Sequence, residues 1–528
     1  MSVVDSKKRI DVPSDGMMKT TTATIDVEKA ALNTNGKGDD DVNKVKDDNE
    51  SSSDESSEQE GHTKINDVNS TDEIDYNDED QNLSETSSEI VIIEGQQQQQ
   101  QQQQHSKYIW LHAFYHSIVT IIGTGILGFP YATSYLGWYG ASIFITCISG
   151  YCYYTAILLI NLQEKGQGTY SDITDNIMGI GYSRFTVRPA QFLNFFPTTA
   201  VMILIGGQAL ATIDSLDGIQ TLSVTWWLII DAGIVMVLSL LPDLNRAWQV
   251  SVVGAFSAFL IVGYCIGGSI VAIIDTNSDS SDIPIVYEQP LSATEDPVFD
   301  YTLMSSFGSI MFGYGFHAVL PDIQASLHDH NTKDSKSDMK KAVTAAFSFS
   351  YPAYIMVALI GFAAFGYSVE SDVLVSINNV LSKDAMYVIW IFVTIKTSTE
   401  AAVYNQAAFT LTRDITGLTI DSDHSDHHPR NWKIDFGMRF VYVTAAACIA
   451  VFIPFFNDLT AITAAISITP TTCLLPIIMW NKKHGSTAPK WRLYLHYLFL
   501  FLSVLTAVVA LVGAVVEIVL SFQSGEYE

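Results

Sequence analysis

The sequence predicts an all-α integral membrane protein with eleven transmembrane helices, and three observations carry that prediction. Only 16% of the 528 residues are charged and 48% are hydrophobic, whereas soluble proteins carry about 25% charged residues. The 56 residues from Tyr108 to Gln163 contain no Asp, Glu, Lys or Arg, a run that no water-soluble core needs. The remaining lysines and arginines fall almost entirely into alternate loops, as they do when a chain threads back and forth through a bilayer.

The first 107 residues stand apart. They hold 25 acidic against 10 basic residues, almost no aromatics, and end in the nine glutamines Gln96–Gln104. Such a composition cannot bury enough apolar area to offset its ordering entropy, so 1–107 reads as a disordered tail. It lacks the apolar stretch of a signal peptide, which leaves insertion to the first span. The acidic serine run Ser51–Glu58 fits a kinase site or a plain solvated stretch, and the patch Ile90–Ile93 fits a regulatory or sorting partner or chance. A formal net charge of −28 excludes nucleic-acid binding through a basic patch.

A helical span needs about 20 apolar residues. Eleven segments qualify, over roughly 108–132, 138–162, 189–213, 223–241, 247–274, 302–327, 341–366, 385–411, 436–456, 458–480 and 493–520. Together they make a transporter-sized domain over 108–520, followed by a short C-terminus at 521–528. Trp110, Trp138, Trp226, Trp227, Trp248, Trp480 and Trp491 lie at or near span ends, as interfacial anchors do. With the tail in the cytoplasm, the inside loops hold fifteen bases and the outside loops only Lys383. That bias sets the N-terminus in the cytoplasm and the C-terminus outside or in a lumen. The five cysteines, Cys147, Cys152, Cys265, Cys448 and Cys473, all sit in apolar runs and read as small core residues. His424, His427 and His428 beside Asp421, Asp423 and Asp426 resemble a metal tract by composition alone; a solvated cytoplasmic loop is the preferred reading. No metal or cofactor is expected.

Two spans are broken by glycine. Span 1 contains Gly123-Thr124-Gly125 and then Pro130; span 6 contains Gly313-Tyr314-Gly315 and then Pro321. They head two blocks of five spans, with span 11 left over. An odd number of spans per block turns the second block upside down, which gives the five-plus-five inverted repeat of many secondary transporters, with discontinuous helices at the repeat interface. Glycine frees backbone N–H and C=O groups at membrane depth, where they are costly unless a ligand or polar cavity meets them. Close packing of small residues is the competing account of such glycines.

At this point the chain resembles the amino acid/auxin permease family. The stretch His116–Pro130 is similar to the opening span of proton-coupled amino acid transporters and of plant lysine/histidine transporters, in which a His precedes the Gly-x-Gly by seven residues. Span 6 through Leu327 looks like the plant type, although Pro321 stands where those usually have Glu. Ile453-Pro454-Phe455-Phe456-Asn457-Asp458-Leu459 matches a specific signature of the family. The resemblance covers about 108–520 and implies a LeuT-like fold with a central amino acid site. The N–H groups around Ile122, Gly123, Thr124, Gly125 and Ile126 would suit the carboxylate, since half-helix N-termini carry partial positive charge. The carbonyls around Phe312, Gly313, Tyr314 and Gly315 would suit the ammonium, with Gln208 and Ser398 adding side-chain contacts. Val119 stands where the sodium-coupled branch has Asn, which favours a proton gradient.

Ionisable residues inside spans are costly and need a reason. His116 is the first candidate for a proton relay, since imidazole titrates near neutrality; a neutral hydrogen-bonded histidine is the alternative. Lys396 and Glu400, four residues apart on span 8, can face each other as a structural bridge or as a coupling element. Asp231 in span 4 is expected to face protein rather than lipid. His317 and Asp322 follow the span 6 break and fit the wall of an inner vestibule. Together these features predict secondary active transport of amino acids, with protons as the co-substrate and a plasma or vacuolar/lysosomal membrane as its location. An amino acid sensor with little flux, or a carrier of auxin-like carboxylates, would use the same site. An enzyme is disfavoured, because no Gly-rich phosphate loop, HExxH or Gly-x-Ser-x-Gly is present.

Overall fold

The computed structural model describes residues 110–241, 248–278, 287, 301–327, 332–416, 432–453 and 456–524. The acidic tail, the histidine tract at 424–428 and Pro454-Phe455 of the signature lie outside the described residues. Among the described residues, all regular structure is helical. Eight helical stretches are long and apolar enough to cross a membrane. The first of them, Trp110–Leu162, has 53 residues and would run about 80 Å if straight, far beyond a hydrocarbon core of about 30 Å. It is not straight. The helical ladder breaks after residue 121, and the chain turns again at Gly137, whose φ of +70° is open to glycine at little cost. Predicted spans 1 and 2 therefore run on without a separating loop. Predicted span 6 is split into Tyr301–Phe312 and Leu320–Ala325.

Predicted span 4 is shorter than its apolar run. The helix is Val224–Leu238, 15 residues, and the chain turns at Ser239–Leu241. Part of the reason lies in its neighbours. The Ser239 carbonyl accepts from Arg439, and the Leu241 carbonyl accepts from Gln406 at 2.8 Å and from Arg439 at 3.3 Å. Arg439 is itself buried and donates to Asp435 at 2.8 Å, and Asp435 also pairs with Arg413. Replacing Arg439 with Ala is expected to cost about 2–3 kcal/mol by removing the charged donor from the Ser239 and Leu241 carbonyls, while Asp435 keeps Arg413. The check is the melting temperature of detergent-purified protein, where Arg439→Lys should recover only part of the loss because it lacks the planar fork.

Span 8, Lys383–Thr416, forms the centre of the bundle, with 72% of its apolar window buried. It packs along spans 3, 4 and 5. The last helix, Lys490–Ser524, is peripheral, with 22% buried, and packs on the first half of span 6. It stays helical past the predicted end at 520, because Ser521-Phe522-Gln523-Ser524 contains no breaker. Cys152, Cys265 and Cys473 are buried as expected, whereas Cys147 and Cys448 are exposed; they lie on outward faces of their helices, which an apolar run does not distinguish from inward ones.

One end of the bundle gathers the charges assigned to the inside. Lys483 pairs with Glu164, Lys336 donates to the Asn161 carbonyl, Arg188 pairs with Asp175 and Asp414, and Arg492 donates to the Tyr154 hydroxyl. The Lys483 ammonium holds the Glu164 carboxyl below its ordinary range. These contacts join loops that are far apart in sequence, at the same end of the bundle.

Candidate functional site at the crossing of the two breaks

The helix 110–121 ends when the ladder fails. Gly123 N–H turns back to the Ile121 carbonyl at 2.8 Å, Gly123 itself is extended, and a single tight turn, Thr124–Gly128, leads into the helix that starts at Phe129. Span 6 behaves alike. Its first half stops at Phe312, a tight turn runs Gly315–Ala318, and the second half starts at Leu320 with Pro321 in its first turn. Proline fits there because a first-turn N–H has no helical partner to lose. The two breaks touch. A Cβ on Gly125 would lie 3.1 Å from the Gly313 backbone, and one on Gly315 would lie 2.8 Å from Ile468 of span 10. Ile122, Ile126, Phe312 and Tyr314 are all buried at the crossing.

Three side chains meet the freed backbone groups. Glu400 lies beside the Thr124 N–H, and its Oε1 lies 2.5 Å from where a Gly123 Cβ would stand. Lys396 Nζ donates to Glu400 Oε2 at 2.6 Å and to the Val119 carbonyl at 3.0 Å. Tyr354 of span 7 reaches both breaks: its hydroxyl lies against the Ile121 carbonyl of span 1 and donates to the Gly313 carbonyl of span 6 at 2.6 Å. The Tyr354 ring packs on Phe129 and Tyr314. Lys396, Glu400 and Tyr354 are each no more than 2% exposed.

The other predicted site residues lie elsewhere. His116 is buried, and its Nδ1 shares a hydrogen bond of 2.7 Å with Ser251 of span 5. Asp231 is fully buried, against Gly206 of span 3 and beside the Ser398 hydroxyl. Ser398 lies two residues from both Lys396 and Glu400, and residues so spaced point to different sides of a helix. The Lys396–Glu400 pair faces span 1 and Ser398 faces spans 3 and 4. His317 Nε2 sits 3.0 Å from the Cys152 carbonyl and 3.1 Å from Thr155, tying span 6 to span 2.

Gln208 lines a vestibule of about 760 Å³ at the end of the bundle opposite the charged one. Asp372, Asp458 and Glu517 also line it, and among the described residues no Lys, Arg or His does. The carboxyls of Asp458 and Glu517 lie against each other, so the final helix contributes to this wall. Asn457 of the signature pins the first half of span 6: its Oδ1 accepts from Ser309 at 2.5 Å and its Nδ2 donates to Ser305 at 3.3 Å. Tyr354, Ser251, Asp372 and Glu517 carry no mark in the sequence reading, and Asp458 enters it only as part of the family signature. A lone tyrosine in an apolar span carries no local signal, whereas Asp372 and Asp458 stood at span ends where acids are ordinary.

Asp372 sits in the loop after residue 368 and caps a short turn by accepting from Leu374 N–H at 2.8 Å. Burial pushes its carboxyl up to about 7, with the Leu374 N–H working the other way. Its folded value lies above an unfolded value of about 3.9, so the folded state holds the proton more tightly. Stability therefore falls as pH rises from about 4 to 7 and is level above. Asp372→Asn keeps the cap and removes the ionisation. It is expected to gain up to about 1 kcal/mol at pH 8, after discounting for the partial exposure of this residue, and nothing at pH 4; melting curves at the two pH values check this.

A family model described as "Transmembrane amino acid transporter protein" matches residues 106–517. The chain is similar to lysine histidine transporter-like 4 of Arabidopsis thaliana, with 26% identity over 430 residues, 79% of this chain and 90% of that one. It is also similar to GABA transporter 1 of Arabidopsis thaliana, with 22% identity, covering 79% of this chain and 92% of that one. Among solved structures it is similar to Mhp1, a nucleobase-cation-symport-1 family transporter in a closed conformation with bromovinylhydantoin bound, at 14% identity and a TM-score of 0.46, covering 79% of this chain and 91% of that one.

Proposed function

Because the chain belongs to the transmembrane amino acid transporter family, we propose that it carries free amino acids across a membrane by alternating access, driven by a proton gradient. The observation that carries this reading is the contact between the two broken spans, where Gly125 of span 1 lies against the backbone of Gly313 of span 6 and the Ile121 and Gly313 carbonyls converge on the Tyr354 hydroxyl. The N–H groups freed at the span 1 break are donors for a carboxylate, and the two carbonyls are acceptors for an ammonium, which is the pair of charges every free amino acid has. The chain crosses eleven times as two inverted blocks of five and a final helix, with the tail in the cytoplasm and the C-terminus outside or in a lumen. The clustering of basic residues at one end supports that orientation.

The vestibule is then the outer entrance. Its three carboxyls and lack of bases favour cationic and zwitterionic substrates over acidic ones, in keeping with the lysine, histidine and GABA named for the relatives. Proton coupling draws on four buried ionisable residues in the bundle, His116, Asp231, Lys396 and Glu400. Uptake of a panel of radiolabelled amino acids into proteoliposomes, under an imposed pH or sodium gradient, tests the reading. An inward proton gradient should accelerate uptake and a sodium gradient should not. Binding without uptake under any gradient would favour a sensor instead.

A further inference from the structure

We propose that between substrates the chain closes its amino acid site with two of its own side chains, the Glu400 carboxylate in the place of the substrate carboxylate and the Tyr354 hydroxyl in the place of the ammonium. This rests on the reading of the crossing as an amino acid site and adds what a substrate has to displace there. Glu400 is a carboxylate already lying beside the Thr124 N–H and against Gly123. Tyr354 is a donor already placed on the carbonyls of Ile121 and Gly313, one from each broken span. The crossing is buried. Freed backbone groups at membrane depth need partners at all times, and these two side chains supply them when no substrate does.

Exchange fixes the charge count. Glu400 faces Lys396 at 2.6 Å; the other titratable groups facing it are Tyr404, one turn along span 8, and Tyr354 from span 7. Span 1 offers it backbone only. If the substrate carboxylate takes the Thr124 N–H and the Lys396 ammonium while the substrate ammonium takes the Ile121 and Gly313 carbonyls, the zwitterion leaves the net charge unchanged, but an ionised Glu400 would set two carboxylates beside the one ammonium of Lys396. A proton from solvent on Glu400 relieves that repulsion and leaves the occupied site one charge more positive than the empty one. The site then holds one carboxylate opposite Lys396 both before and after exchange, and one proton enters with each amino acid. The substrate class follows: it carries both a free carboxylate and a free ammonium, since each displaces one internal group.

The test is equilibrium binding to the purified full-length protein. A panel of the twenty L-amino acids identifies the tightest binder, which is then compared with its deaminated and decarboxylated analogues. Wild type should bind the amino acid at least tenfold more tightly at pH 5 than at pH 8. Glu400→Gln should flatten that dependence. Tyr354→Phe leaves the two carbonyls in need of a donor and should tighten amino acid binding about tenfold, while binding of the deaminated analogue stays unchanged. The proposal is overturned if Tyr354→Phe weakens or leaves amino acid binding unchanged, if it tightens the deaminated analogue equally, or if Glu400→Gln keeps the full pH dependence. Should Glu400→Gln fail to fold, the tyrosine arm decides alone. If wild type binds no member of the panel, the crossing is not an amino acid site, which is a different failure from exchange not occurring.

Discussion

Gly125→Val is expected to abolish amino acid binding and uptake, a loss of more than about 100-fold, while the protein still folds. A Cβ at this position would lie 3.0 Å from a ring carbon of Phe312 and 3.1 Å from the backbone of Gly313. Valine adds two more carbons beyond it. The Phe312 ring can give way, but the Gly313 backbone cannot move without shifting the whole break in span 6. The two half-helices would be forced apart at the point where a substrate has to be gripped by both. The cost to folding is that of overpacking, about 1–3 kcal/mol. Gly125→Ala, with one carbon instead of three, should lose less. Equilibrium binding by the variants, with elution volume on size exclusion as the folding control, distinguishes a lost site from a lost fold.

Lys396→Ala is expected to have the largest effect on stability. It leaves the Glu400 carboxylate buried beside the span 1 break without its ammonium partner, and it leaves the Val119 carbonyl without its donor. Breaking a buried pair from one side costs about 3–5 kcal/mol, whereas replacing both partners with apolar residues of similar volume is often nearly neutral. The double change Lys396→Met with Glu400→Leu should therefore fold better than Lys396→Ala alone. It should still show no proton-driven uptake. Expression and melting temperature give the stability comparison, and proteoliposome uptake gives the functional one. A double variant that transported normally would reduce the pair to a structural bridge.

How much of this was legible in the sequence depends on how local each cause is. The breaks in spans 1 and 6 were, because Gly123, Gly125, Gly313, Gly315, Pro130 and Pro321 act on their own stretch of backbone. The Lys396–Glu400 contact was legible too, since a four-residue spacing on one helix places the two on one face. The burial of Asp231 followed from the cost of exposing a carboxylate to lipid. Tyr354 was invisible, because its role comes from span 7 lying across both breaks. The end of span 4 is half legible: Pro242 has no N–H to give the Leu238 carbonyl, but that Gln406 and Arg439, from spans 8 and 9, take the Ser239 and Leu241 carbonyls is set by packing alone. Gln208 shows the same limit from the other side. Its place on span 3 was known, but only packing puts it in the vestibule rather than at the crossing.

The most direct test of the central claim is whether an amino acid carries protons with it. Proteoliposomes holding the purified protein and a trapped pH-sensitive dye are given the amino acid outside, with no pH gradient and with the membrane potential clamped. The interior is expected to acidify as uptake begins, with an effect that saturates with substrate and approaches one proton per amino acid. Uptake that proceeds at the same rate with no change in internal pH would contradict it.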